Sequence, residues 1–217
     1  MKPSYKLQSL ALTLATTIVF TIWIKIIPML QLNDFTKIII GTLTSISSYR
    51  FIATTIIYLM SKSSKIKKYF LGSTYLEGTW VGFYIGSQGK VRFIIESFEQ
   101  DVDNLIIRGK SYDDSSKYHA AWVASNVNID ASKGIISYMY DCIPINDNSN
   151  GNGIAIFNFS RKNQYSKAEG IMGFSADLHI GKRVRAFEIK ISDKCFVNET
   201  KALIEAKKLY DENKNIF

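Results

Sequence analysis

The sequence predicts a membrane hairpin joined to a closed β-domain. Two N-terminal transmembrane α-helices come first, then an all-β, eight-stranded antiparallel up-and-down barrel with a C-terminal helix. Three observations lead to this. Two long apolar runs fill residues 7–30 and 38–60. From Tyr75 onward apolar residues recur at every second position, which is the strand period and not the helical one. Turn-forming residues then punctuate the chain at short, regular intervals, so the strands follow one another as hairpins.

Leu7 to Ile24 holds 18 residues without a charge, and the run continues past Lys25 to Leu30. About 20 apolar residues in a helix cross about 30 Å of hydrocarbon, so this is a first span. Trp23 and Lys25 suit one interface. Ile38 to Met60 is a second run, of 23 residues with one charge, Arg50. Lys2 and Lys6 precede the first run, and Lys62, Lys65, Lys67 and Lys68 follow the second. The positive-inside rule then puts both ends in the cytoplasm and the short loop outside. A cleaved signal peptide is the competing reading of the first run. It suits the sequence poorly, because the run is long and residues 27–31 offer no small-residue cleavage site.

Arg50 stands near the middle of the second span, where a charge costs about 2.5–3.5 kcal/mol on insertion scales. Neither span holds an acid to neutralise it. It either snorkels from a tilted helix or belongs to a polar seam with Ser45, Ser47 and Ser48 that draws copies of the hairpin together.

The net charge is +8, and its position matters. Residues 1–70 carry nine basic groups and one acid, and the rest of the chain balances 18 against 18. The basic character therefore belongs to the hairpin, which argues against a domain that binds a DNA or RNA polymer. Two cysteines, Cys142 and Cys195, are too few for a disulfide framework or a four-thiolate zinc site. No metal or other cofactor is expected. The chain has no Gly-rich phosphate loop, no H-E-x-x-H and no G-x-S-x-G. His119 lies mid-strand and His179 in a turn near Asp177, so no catalytic residues are expected and the chain does not read as an enzyme.

The division therefore falls at residue 70, with a hairpin over 1–70 and a cytoplasmic β-domain over 71–217. Eight strands are predicted: Leu76–Gly86, Val91–Asp101, Asn104–Asp113, Tyr118–Asn128, Gly134–Cys142, Gly153–Arg161, Ala168–Ala176 and Arg183–Ser192. Turns are expected at residues 87–89, 101–104, 113–116, 130–133, 146–153, 162–164 and 179–181. Eight strands can close on themselves, which removes exposed edges and leaves an interior wide enough for packed side chains or one small ligand. Asn198 to Lys214 reads as a helix with Asn198 as N-cap and Glu199 in the first turn. It is expected to cover one mouth or one side of the barrel.

Inward parity follows from one anchor. If Trp80 points inward, so do Gly82 and Tyr84. The other strands leave two faces open, such as Ile135/Ser137/Met139 against Ile136/Tyr138/Tyr140. A lumen that binds a ligand would draw on Trp80, Tyr84, Trp122, Tyr138 and Tyr140 for stacking. Arg92, Arg108 and Arg185 would hold phosphates and Asn158 would hydrogen-bond. The same aromatics could instead fill a core, and the same cations could face solvent.

Gly78-Thr79-Trp80 resembles the G-x-W signature at the start of the first strand of lipocalins. That resemblance implies a lipocalin-like barrel with Trp80 inside one end and a cation from the last strand, Arg183 or preferably Arg185, covering it. The whole order of parts runs Leu7–Leu30, Ile38–Met60, the Lys62–Lys68 cluster and then the barrel from Glu77-Gly78-Thr79-Trp80. It resembles the two-transmembrane, β-strand-rich effectors of bacterial CBASS anti-phage operons. The resemblance implies a two-span inner-membrane protein with cytoplasmic termini, whose barrel senses a cyclic dinucleotide made by a partner CD-NTase. It implies that homo-oligomers then disrupt the lipid bilayer and kill the cell. A membrane-tethered carrier for an apolar ligand is the alternative, and a scaffold that docks a protein partner is a third reading.

Overall fold

The computed structural model describes residues 3–29, 31, 33–86, 89–144, 151–178, 181–195 and 197–215. Lys2, Leu30, the turn residues Ser87 and Gln88, residues 146–150, and His179 with Ile180 lie outside the described residues. The chain divides into two compact units, Met1–Leu71 and Gly72–Phe217.

The first unit is helical. Helix α1 (Pro3–Lys25) runs into a single 3-10 turn, Ile27–Met29. Helix α2 (Asp34–Lys62) starts at Asn33, whose side chain accepts a 2.8 Å bond from the Thr36 amide, a typical N-cap arrangement. A short helix α3 (Ser64–Leu71) carries Lys65, Lys67 and Lys68. Along α1 the buried positions are Ser4, Leu7, Ala11 and Ala15, and on α2 they are Gly41 and Ala53. Small residues at these spacings let two helices approach closely. The large apolar side chains point outward instead, among them Leu10, Leu14, Ile18, Phe20, Ile39, Leu43, Ile46 and Phe51. Thr13, Thr16, Thr17 and Thr21 each donate a hydroxyl hydrogen bond to the carbonyl four residues earlier, at 2.8–2.9 Å. Their polar groups are therefore satisfied without water.

The sequence predicts two spans, and the structure supports the first. Among the described residues one helix, α1 with its extension to Met29, is long and apolar enough to cross a membrane. Helix α2 is longer but falls short, because Arg50 and the hydroxyl-rich stretch from Thr42 to Ser48 lower its mean hydropathy.

The second unit is a closed antiparallel barrel. Its strands are β1 (Gly78–Ile85), β2 (Val91–Gln100), β3 (Leu105–Tyr112), β4 (Tyr118–Ala124), β5 (Val127–Asp130), β6 (Ile135–Pro144), β7 (Gly151–Ser160), β8 (Gly170–Asp177) and β9 (Arg183–Ser192). Neighbours in sequence pair in order except β4 and β5, β9 returns to β1, and β4 closes the ring on β6. The ring has eight members because β4 and β5 are two halves of the predicted fourth strand. Its first half pairs with residues 141–144 of β6 and its second with residues 135–138. The polar Ser125-Asn126 step separates them.

Alternation gives each strand an inward row, and the outward rows of β1, β2 and β9 with Tyr112 of β3 build a second core. The interior holds Leu76, Trp80, Ile94, Phe98, Ile107, Ile136, Tyr138, Phe157 and Ile171. An outer core forms under helix α4 (Glu199–Asn213), where Val81, Phe83, Phe93 and Ile95 meet Ala202, Ala206 and Leu209. The helix therefore covers a side of the barrel, not a mouth. Asn198 caps it through a 3.1 Å bond from the Lys201 amide.

Candidate functional site in the barrel interior

Trp80 sits at one end of the interior, fully buried and stacked on Phe98 with ring centroids 5.0 Å apart. Its indole Nε1 donates to the Leu76 carbonyl at 2.9 Å. Gln100 ties the incoming segment beneath it, accepting from the Leu76 amide at 2.6 Å and donating to the Thr74 carbonyl at 2.8 Å. This end is a plug. The expected covering arginine is absent from it. Arg185 lies on the outward row of β9, opposite exposed Phe174, with Nη2 3.4 Å from the Met172 sulfur. Arg183 is also exposed on that row. The cation on the inward row is Lys190, which pairs with Trp80 in register, yet its ammonium lies 4.5 Å over the Tyr75 ring and 2.8 Å from Asp193.

The middle of the interior holds two carboxyl groups. Glu96 on β2 and Glu188 on β9 are each 1% exposed and hydrogen-bond each other. The Trp122 indole Nε1 donates to Glu96 Oε1 at 2.6 Å. Burial pushes Glu96 up to about 7. Burial, and then the repulsion of Glu96, raises Glu188 well above the usual carboxylate range. Two carboxylates in contact cannot both be ionised in a low-dielectric interior, so the pair retains a proton that one donates to the other. Tyr138 lies close to both acids and is fully buried; desolvation and the two carboxyl groups raise its phenol well above normal. Trp122 owes its position to Gly109, its register partner on β3, where any Cβ would collide with the indole.

The other end is more polar. Tyr84 on β1 pairs with Arg92 on β2, and the Ser111 hydroxyl lies beside the Tyr84 phenol. Across the ring the Tyr140 ring stands over Gly153, where a side chain would strike it. Ser175, Cys142 and Asp177 are its polar neighbours. His119 lies near Arg92 and Asp113, and burial followed by the Arg92 charge holds it below its ordinary value. The rim therefore offers two phenols and one guanidinium.

Of the residues expected to bind a ligand, Trp80, Tyr84, Trp122, Tyr138 and Tyr140 line the interior, and Arg92 lies on the inward row at its rim. Arg108 and Asn158 do not. Arg108 is exposed between inward Ile107 and Gly109 and forms a 2.8 Å ion pair with Glu99. Asn158 is exposed next to buried Phe157. With Arg185 outside as well, Arg92 remains of the three arginines. The Glu96–Glu188 pair was not anticipated, although each acid sits two residues from an apolar inward neighbour, Ile94 and Phe98 on β2 and Ala186 on β9. Arg50 belongs to the helical unit, where it is exposed on α2. No group of three or more metal-ligating side chains occurs among the described residues. No protein-family model, curated protein or solved structure matches this chain.

Proposed function

We propose that the chain is a membrane-anchored sensor. The Tyr84 end of its barrel takes a cyclic dinucleotide and its helical unit acts on the bilayer, in the manner of the CBASS effectors that its order of parts resembles. One observation carries this reading: a closed barrel with Tyr84 paired with Arg92 at one end and Tyr140 close to Tyr84. Phenol faces stack on bases, and a guanidinium holds phosphate in bidentate fashion. The chain spans a bacterial inner membrane twice, with α1 and α2 as the spans and both termini cytoplasmic. Exposed Ser47, Arg50 and Thr54 share one side of α2 and supply a polar line in an otherwise apolar surface. Ligand activates by favouring the associated state over the separate one, and a CD-NTase supplies the ligand.

The test is thermal melting of the full chain in detergent against a panel of cyclic dinucleotides and fatty acids, followed by dye release from liposomes. A ligand at 100 times its Kd adds about 2.7 kcal/mol. Stabilisation by one cyclic dinucleotide together with ligand-dependent leakage supports the proposal. Stabilisation by fatty acids alone supports the carrier. Silence to both, in a folded protein, leaves the scaffold.

A further inference from the structure

The outer wall of the barrel has two apolar faces. One, on β1, β2 and β9, lies under α4. The other lies on β6, β7 and β8, on the opposite side of the ring. Register sets Met139 opposite Ile154 and Ile156 opposite Phe174. These side chains are 56%, 36%, 51% and 51% exposed. A contiguous apolar area on an outer wall marks a contact surface. Its edges carry opposite charges: Asp141 is exposed on β6, and Arg183 and Arg185 lie on the outward row of β9.

We propose that this face binds the same face of a second copy of the chain. The pairing is isologous, with a two-fold axis that runs along the strands between β7 and β8. Such an axis lays the β6 edge of each copy against the β9 edge of the other. Asp141 then approaches the arginine edge twice, once in each half of the interface. Ile154, Ile156 and Phe174 close the centre. A membrane surface fits this face less well, since an anionic leaflet attracts the arginines but repels Asp141. The interface needs no ligand and stands whether or not the rim binds a nucleotide.

Sedimentation equilibrium of the full chain in detergent, over a micromolar concentration range, tests this. The protein is expected to dimerise, and Phe174→Lys to weaken the dimer at least tenfold. Asp141→Arg and Arg183→Asp each weaken it, and the two together restore it, which a general loss of fold would not do. Thermal melts confirm that each variant folds. A monomer at every concentration overturns the proposal. So does a dimer that survives Phe174→Lys and Asp141→Arg but is lost in Arg50→Leu, because association then belongs to the helices.

Discussion

Glu96 and Glu188 are the residues whose chemistry departs furthest from the unfolded chain. In the folded barrel Glu96 keeps its proton up to about pH 7, whereas in the unfolded chain it loses it near 4.5. Between those values the folded state binds more protons, so stability is greatest below pH 4.5 and falls as the pH rises toward 7. Glu188, raised further still, holds its proton across the same window and adds to the fall. Thermal melts from pH 5 to 8 should show the fall, and Glu188→Gln, which keeps a donor to Glu96 but removes one of the two raised carboxyl groups, should make it shallower. A second residue-scale prediction concerns Gly109. An alanine there collides with the Trp122 indole, and overpacking of this kind costs about 1–3 kcal/mol. Gly109→Ala should lower Tm and shift tryptophan fluorescence as Trp122 leaves Glu96. Neither feature is evident in the sequence. An acid two places from an apolar residue usually faces water, and a glycine within a strand does not announce which ring will occupy its space.

At the scale of the element, α4 shows which contacts matter. Its first residue and its middle carry polar ties: Lys110 pairs with Glu199, and Lys207 donates to the Asp114 carbonyl at 2.9 Å and to Ser116 at 2.8 Å. Both partners of the Lys110–Glu199 pair are about half exposed, and such pairs contribute about 0–1 kcal/mol. The buried face is larger, with Ala202, Ala206 and Leu209 against Val81, Phe83 and Phe93. Leu209→Ala should therefore cost about 2–5 kcal/mol, Asn198→Ala about 1 kcal/mol, and Lys110→Ala less than either, all read from denaturant midpoints. The predicted helix and strands have close counterparts in the structure because their periods and turn residues are local. The predicted fourth strand breaks at Ser125-Asn126, since its two halves pair with different stretches of β6. That pairing lies beyond any local window. The same holds for α3, whose basic residues read as a simple stop after the second apolar run.

At the scale of the whole molecule, the two units carry separate parts of the proposed activity, which makes them separable by mutation. Arg50 lies on exposed α2 and the rim residues lie in the barrel. Arg50→Leu should leave ligand-induced stabilisation unchanged while abolishing dye release from liposomes at matched insertion. Leakage retained at the wild-type rate would remove Arg50 from the membrane step. Arg92→Ala should do the reverse, weakening ligand-induced stabilisation while the helices still insert.

The sequence by itself determined the change from helical to strand period near Tyr75, the succession of antiparallel hairpins, the shared face of Trp80, Gly82 and Tyr84, and the capped C-terminal helix. Each follows from spacing along one segment. Only the tertiary structure decided which arginines face the interior. It sent Arg108 and Arg185 outward and Arg92 to the rim, and it joined Glu96 to Glu188 across the barrel. Those outcomes depend on register and on strand neighbours far apart in the chain, and a period of two residues specifies alternation without saying which face is inside.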